Sequence, residues 1–281
     1  MTSYLVTGGG GMLGTDVAAV LSDRDVVSLD RSQLDVTDAL AVASAVTGFD
    51  VVINCSAYTR VDDAEAREDD ARAINAVGAG NLATAAAANG AILVQVSTDY
   101  VFDGRASAPY AESAPRAPVS AYGRTKAEGE ELALAANERT IILRTAWLYG
   151  AHGTSFPATM MRLARERDTL DVVDDQVGQP TWTRDLATQL LVLLDRGIDR
   201  GVFHGTNSGS TTWFGLARAV FEETGLDPAR VHATDSASFV RPAPRPAYSV
   251  LGHDNWVAAG IAPMRPWREA LRDALASGLG R

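Results

Sequence analysis

The chain has 281 residues, of which 46% are hydrophobic and 21% charged, and its formal net charge is −10. That length suits one large α/β domain or a core domain with a smaller lobe, and the composition is ordinary for a globular protein. The acidic balance argues against nucleic acid or an anionic membrane as a partner, because phosphates need basic surface, and no apolar run approaches the ~20 residues of a membrane span.

A single cysteine, Cys55, allows no internal disulfide, which fits a reducing compartment and predicts a cytoplasmic protein. Its place in an apolar, strand-like run marks it as core and not as a nucleophile. From Met1 the chain passes directly into its first strand, with no basic leader or cleavage site. The histidines, His152, His204, His232 and His253, lack metal-ligand spacing, so no metal is expected.

In chain order, a short apolar strand is predicted over residues 4–7 and a helix over 12–21. Between them lies Gly8-Gly9-Gly10-Gly11-Met12-Leu13-Gly14, with Gly8, Gly11 and Gly14 three residues apart. Glycine permits the tight turn and the close backbone approach that a dinucleotide diphosphate needs, and the helix N-terminus stabilises its charge. A second strand over 26–29 ends at Asp30, 16 residues after Gly14. An acid at that place accepts hydrogen bonds from the adenosine ribose hydroxyls. Alone it favours NAD by repelling a 2′-phosphate, whereas Arg31 beside it can tolerate that phosphate, so NADH and NADPH both stay open.

A helix over 39–46, a strand over 50–54, helices across 62–88 and a strand over 91–96 follow. Next come a helix over 122–135 and a strand over 140–144. Strands alternating with longer helices predict parallel pairing through right-handed crossovers, hence an α/β, doubly wound Rossmann-type sheet. Runs such as Val51-Val52-Ile53 suit strands covered on both faces. Ser97-Thr98-Asp99-Tyr100-Val101-Phe102 follows the fourth strand, at the carboxyl edge where open α/β sheets bind ligands. The Thr98 hydroxyl there can hydrogen-bond a substrate carbonyl.

Lys126 is the only lysine among 25 basic residues. Its retention points to work that suits a compact ammonium and not a planar guanidinium. Tyr122 stands one helical turn earlier, on the same face. A phenol with a pKa near 10 is a poor acid–base catalyst at neutral pH, and a neighbouring ammonium stabilises its phenolate and makes it a better one. Thr98, Tyr122 and Lys126 therefore form the candidate catalytic set, and Lys126 is also suited to bracket a nicotinamide ribose.

Beyond about residue 150 the pattern loosens. Helices are predicted over 156–167, 185–194, 213–224 and 267–275, with proline- and glycine-containing stretches between them. The expected division is a dinucleotide-binding half carrying the catalytic residues (1–150) and a smaller substrate-binding lobe (151–281). Segments such as Val202-Phe203-His204 are expected to return to the main sheet.

Together the early glycines, Thr98 and the Tyr122/Lys126 pair resemble the extended short-chain dehydrogenase/reductase family. More narrowly, nearly the whole chain resembles the dTDP-4-dehydrorhamnose reductase family. That likeness is carried by Asn54-Cys55-Ser56-Ala57-Tyr58-Thr59 with Val61-Asp62, the segment from Ser97 to Phe102, and Arg144-Thr145-Ala146-Trp147-Leu148-Tyr149. Asp175-Gln176-Val177-Gly178-Gln179-Pro180-Thr181, Thr211-Thr212-Trp213 and Arg245-Pro246-Ala247-Tyr248-Ser249 continue it.

The resemblance implies NADPH- or NADH-dependent reduction of the C4 keto group of a dTDP-4-keto-6-deoxyhexose, dTDP-4-dehydro-L-rhamnose to dTDP-L-rhamnose, by a protein that could be a homodimer. It places Gly10, Gly11, Met12, Asp30, Asp35, Val36, Ala57, Tyr58 and Thr59 along the cofactor. Thr98, Asp99 and Trp147 would contact the sugar, and Tyr122 would donate the proton. The substrate diphosphate needs cations, for which Arg241 and Arg245 are candidates because guanidinium groups bind phosphate bidentately. Two departures stand out: Cys55-Ser56-Ala57-Tyr58 where the family often has Ala-Ala-Ala-His, and Ser155 where asparagine often precedes Phe156.

Related dehydratases carry Thr-Asp-Glu after the fourth strand; here the third position is Tyr100, so the elimination machinery is incomplete. Three alternatives stay open: a 4-ketoreductase of an antibiotic deoxysugar pathway, a nucleotide-sugar 4-epimerase, and a non-catalytic cofactor-binding regulatory subunit. The last has no need of the acid–base set that this chain retains.

Overall fold

The structure, a computed structural model, describes residues 2–279. Its first half runs β1 (Ser3–Thr7), α1 (Met12–Val20), β2 (Asp25–Leu29), α2 (Ala39–Val46), β3 (Val51–Asn54), α3 (Val61–Ala64), α4 (Glu68–Arg72), α5 (Gly78–Ala88), β4 (Ile92–Thr98), α6 (Ala121–Ala136) and β5 (Thr140–Thr145). The second half contains β6 (Leu148–Tyr149), α7 (Phe156–Glu166), β7 (Leu170–Val173), β8 (Val177–Gly178), β9 (Thr181–Trp182), α8 (Thr183–Asp195) and β10 (Gly201–His204). After these come β11 (Thr211–Thr212), α9 (Trp213–Glu223), β12 (Val231–Thr234), α10 (Asp254–Ala258) and α11 (Trp267–Ala276).

Six parallel strands form the central sheet in the order β10-β5-β4-β3-β1-β2. The order reverses at β1, between β2 and β3, and this switch point opens a crevice at the carboxyl edge. Register brings Thr7 beside Asn54, Asn54 beside Gln95, and Thr98 beside Thr145. The segments that leave β1, β3, β4 and β5 therefore emerge along one edge.

Alternation within each strand feeds two cores. Tyr4, Val6, Val51, Ile53, Val94, Ile141 and Leu143 pack on one face with Leu13 and Val17 of α1 and Leu186, Leu190 and Leu193 of α8. Leu5, Val52, Leu93 and Ile142 face the other way, against Val42, Leu82 and Ala133 of α2, α5 and α6. Burial on both faces is why these strands read as unbroken apolar runs.

Besides α8, two further elements from beyond residue 150 join the first core directly. β10 extends the sheet beside β5, and Trp256 of α10 is buried in that core, its indole N–H donating to the His204 carbonyl at 2.8 Å. A third core, with Leu216, Phe221 and Leu271, lies between α7, α9 and α11. Above it, β7 and β12 form a separate parallel pair.

The stretch predicted as helices across 62–88 is interrupted. Ala73–Val77 forms a π turn between α4 and α5, around the buried Asn75. Such bulges are frequent at functional sites.

Candidate active site

Three adjoining cavities of about 440, 480 and 580 Å³ run from β2 across the carboxyl edge into the second half. The first and second share Gly11, Cys55, Ser56 and Ala57, and the second and third share Tyr100 and Trp213. They lie side by side along that edge.

At its first bend the backbone makes the cradle. Gly8 has φ +71°, and a Cβ on Gly14 would stand 2.3 Å from the Gly8 carbonyl oxygen, so side chains there would close the turn. Gly11 caps α1 without a side chain, and the helix has no acid in its first turn, which leaves its N-terminal amides available to an anion. Gly8, Gly10, Gly11, Asp30, Arg31, Asp35, Val36 and Ala57 line the first cavity.

The Asp30 carboxyl is held below the usual carboxylate range by hydrogen bonds from the Ser32 hydroxyl (2.6 Å) and backbone N–H (2.8 Å) to Oδ1. It is an anionic acceptor, as a ribose diol needs. Asp35 Oδ1 likewise accepts from the Thr37 N–H (3.0 Å) and hydroxyl (2.8 Å), which hold this loop in place. These features fit a dinucleotide.

Met12, Leu13, Gly14, Ala57 and Thr59 continue into the second cavity, which also holds Thr98, Asp99, Tyr122, Lys126 and Trp147. Tyr58 is not among the residues that line either cavity. Asn75 holds both sides of its backbone, accepting from the Tyr58 N–H at 2.8 Å and donating to its carbonyl at 3.2 Å. The ring is buried and packs with Ala64, Ala71 and Ala121, and Tyr122 lies against the same cluster. Cys55 packs against the first core as expected but also borders the second cavity, where burial pushes its thiol up to about 12 and keeps it protonated.

The catalytic candidates converge at the start of α6. Ser120 caps this helix, its hydroxyl accepting from the Gly123 N–H at 3.1 Å, and this fixes the turn that carries Tyr122. Lys126 is 3% exposed and donates from Nζ to the Val96 carbonyl at 2.6 Å. Burial lowers its pKa to about 8, with Glu130 and Cys55 pulling the other way.

The expected acidification of Tyr122 is not what the structure has. Burial pushes the phenol up to about 12, and only the hydrogen bond with Thr98 opposes it, because the Lys126 ammonium is directed to Val96. A phenol of that pKa is fully protonated at neutral pH. It is a poor base but a ready donor to an alkoxide, which is the stronger base.

Thr98 donates to Asp99 Oδ1 at 3.0 Å and accepts from the Tyr100 N–H at 3.2 Å. Asp99 is itself buried, and burial raises its pKa to about 6, while hydrogen bonds from Ser249 and Thr98 pull it down. The Tyr100 ring meets Tyr122 edge-on, with centroids 5.7 Å apart.

Trp147 is the one non-glycine residue with positive φ (46°) among those described, and its ring stacks on Trp213 at 3.6 Å. A bulky side chain in that conformation is strained, and such strain concentrates at ligand sites. Ser155, the departure noted before Phe156, caps α7 through the Ala158 N–H at 3.4 Å.

The third cavity is walled by Arg167, Arg241 and Arg245 with Met160, Leu163, Leu170 and Phe239. Asp62 accepts from Arg245 Nη2 at 2.9 Å and lies 3.9 Å from Arg241. The other terminal nitrogen of Arg245 is buried without a hydrogen-bond partner, an unmet donor that costs stability and invites an anionic acceptor.

Sequence reasoning missed Asn75, Arg167 and the part played by Trp213. The only signal for Asn75 was an amide inside an alanine-rich helix. Arg167 had none, being one of many arginines.

A dinucleotide groove that runs into a buried phenol and ammonium is the working arrangement of an NAD(P)H-dependent oxidoreductase of the extended short-chain dehydrogenase/reductase class. A family model described as "RmlD substrate binding domain" matches residues 1–279, and the chain belongs to that family. It is 49% identical over 276 residues to a probable dTDP-4,6-dihydroxy-2-methyloxan-3-one 4-ketoreductase of Streptomyces antibioticus, covering 96% of this chain and 94% of that one. To dTDP-4-dehydrorhamnose reductase of Streptomyces griseus it is 48% identical over 287 residues, covering 99% and 94%. Among solved structures, dTDP-4-dehydrorhamnose reductase from Bacillus anthracis in complex with NADP matches with a TM-score of 0.94. It is 35% identical, and the match covers 99% of this chain and 100% of that one.

Proposed function

We propose that this protein reduces the C4 keto group of a dTDP-4-keto-6-deoxyhexose, converting dTDP-4-dehydro-L-rhamnose to dTDP-L-rhamnose with NADPH or NADH. The observation that carries this reading is the row of three adjoining cavities, with a glycine turn suited to phosphate at one end, a candidate proton donor in the middle and an arginine-walled cavity at the other. A dinucleotide and a nucleotide sugar can lie end to end in it, with the nicotinamide and the sugar meeting at Tyr122.

Gly8, Gly10, Gly11, Met12, Leu13 and Gly14 hold the diphosphate, and Asp30, Arg31, Asp35 and Val36 hold the adenosine end. Bound nicotinamide in its reduced form supplies the hydride. Tyr122 donates its proton to the alkoxide that develops on O4, and Lys126 provides the positive charge that steadies the resulting phenolate. Thr98 has one hydroxyl proton; a protonated Asp99 would free it from that carboxyl and turn it to the substrate oxygen. Trp147, braced by Trp213, forms the apolar wall beside the sugar, and Arg241 and Arg245 face its diphosphate.

In this reading residues 1–150 serve the dinucleotide and the chemistry, and 151–281 serve the substrate, with α8 and β10 returning to the sheet. The net charge of −10 supports a protein with no nucleic-acid or anionic-membrane partner. Among the described residues no helix is long and apolar enough to cross a membrane. A cytoplasmic location and a homodimer complete the proposal, the second checked by sedimentation.

The Streptomyces antibioticus relative favours a second reading, the same reduction on another deoxysugar. An epimerase would retain its cofactor tightly and consume no net NADPH. One experiment separates these readings: dTDP-4-keto-6-deoxyglucose is supplied with and without a 3,5-epimerase, and NADH or NADPH absorbance is followed. NMR of the product distinguishes L-rhamnose from its C4 epimer and from the sugar made without epimerisation. Silence with both cofactors overturns the proposal.

A further inference from the structure

Eight residues after Tyr122 in α6, Glu130 is fully buried and holds four polar contacts. Arg144 of β5 grips it with Nε to Oε1 at 2.9 Å and Nη2 to Oε2 at 2.7 Å. Arg116 reaches Oε2 at 3.2 Å, and the Ser97 hydroxyl donates to Oε1 at 2.5 Å. Ser97 stands between the Val96 carbonyl, which accepts from Lys126, and Thr98, which lines the same cavity as Tyr122. One carboxylate thus ties the helix that carries Tyr122 and Lys126 to the strand end that holds Lys126 and carries Thr98.

We propose that Glu130 is a positioning residue for the reduction, fixing the end of β4 through Ser97 and holding the charge of Lys126. The assignment rests on the reading above that Tyr122 and Lys126 run the chemistry.

The argument for charge is one of counting. Lys126, Arg144 and Arg116 bring three positive groups to this region, and Glu130 is the carboxylate between the two guanidinium groups. Arg116 also pairs with the exposed Glu131 at 3.0 Å. His204, next to Arg144, is kept neutral by burial, its pKa lowered to about 3. Lys126 itself faces Tyr122 and Glu130 on its own helix, the Cys55 thiol after β3 and the Val96 carbonyl on β4. A guanidinium cannot give up its proton, so if the Glu130 charge is removed Lys126 is the group that discharges.

The argument for position is the close approach of α6. A Cβ on Gly129 would stand 2.1 Å from the Asn75 carbonyl oxygen, so the helix is already seated against the π turn. The bond to Ser97 fixes the remaining contact, with the sheet.

The test uses the fact that the chain has one lysine. Labelling lysine at Cε gives a single side-chain resonance, which reports Lys126 directly by NMR whether or not a substrate turns over. In the native chain it is expected to titrate near pH 8. In a Glu130→Gln variant the midpoint is expected to fall by about one pH unit or more, as for the loss of an opposite charge at close range. The fall in kcat at alkaline pH should move with it. Ser97→Ala keeps the ion pairs, so its lysine should titrate as in the native chain, while kcat drops about tenfold and KM for the sugar stays within about threefold.

A folded Glu130→Gln protein whose lysine titrates natively overturns the charge role, and native kcat in Ser97→Ala overturns the positioning role. Should Glu130→Gln fail to fold, Ser97→Ala decides alone. If the native chain turns over no sugar nucleotide, the functional reading fails, and the lysine titration still decides the assignment of Glu130.

Discussion

The cradle after β1 and the cavity beyond Trp213 both face phosphate in the proposed reading, yet they are made of different material. The cradle is backbone: Gly8 and Gly14 clear the space and the uncapped start of α1 presents its amides. The cavity is side chain: Arg167 comes from the end of α7 and Arg241 and Arg245 from one proline-rich segment far along the chain, and Asp62 already engages Arg245. A backbone site has a fixed shape and little to tune. A side-chain site has a charge that its partners adjust, so substrate choice can change there without disturbing the cofactor. Between the two, Tyr122 serves both.

Tyr122→Phe probes that shared centre and should have the largest effect. Loss of the proton donor lowers kcat by roughly 10²–10⁴, the range for general acid catalysis, with cofactor affinity nearly unchanged in a direct titration. Retained turnover would break the link between the two ends.

Arg245→Met sharpens the contrast from the substrate side. Removing a charge-assisted contact worth about 1.5–3 kcal/mol raises KM for the nucleotide sugar by about 10–100-fold and leaves KM for NADH or NADPH unchanged. Equal changes in both constants would mean that the two sites are not separate. Gly14→Ala is the counterpart in the cradle. A Cβ 2.3 Å from the Gly8 oxygen forces a shift costing about 1–3 kcal/mol, seen as weaker cofactor binding and a lower Tm, with sugar KM little affected.

The pH profile carries the smallest effect. Because burial lowers the Lys126 pKa to about 8, the ammonium is present below that pH and lost above it. Reduction should therefore slow about tenfold per pH unit on the alkaline side once Lys126 is neutral. A flat profile up to pH 10 would remove the lysine from the mechanism.

Much of the catalytic half was legible because its signals are local. The alternation of strand and helix gave α2 with its ends intact; the glycine spacing, Asp30 and Thr98 each lie within a few residues of a strand end, and Tyr122 and Lys126 lie one turn apart on a single helix. Less could be read where structure depends on distant partners. β7 and β12 pair across some sixty residues, from Leu170↔Val231 to Val173↔Thr234, and neither segment is long enough to announce itself. The inward turn of Tyr58 follows from Asn75, seventeen residues away, and the raised pKa of Tyr122 follows from its burial.

By itself the sequence determined the parallel sheet, the glycine turn proposed as the phosphate cradle and the one-turn pairing of the proposed acid–base residues. These depend on hydrophobic periodicity, on conformations open only to glycine, and on the one-turn spacing of a helix, all properties of contiguous residues. Only the tertiary structure decided that Lys126 would spend its hydrogen bond on Val96, that Glu130 would lie between Arg144 and Ser97, and that Asp62 would hold Arg245. Burial and long-range pairing set those outcomes, because the strength of a charge depends on the water and the partners that folding leaves around it.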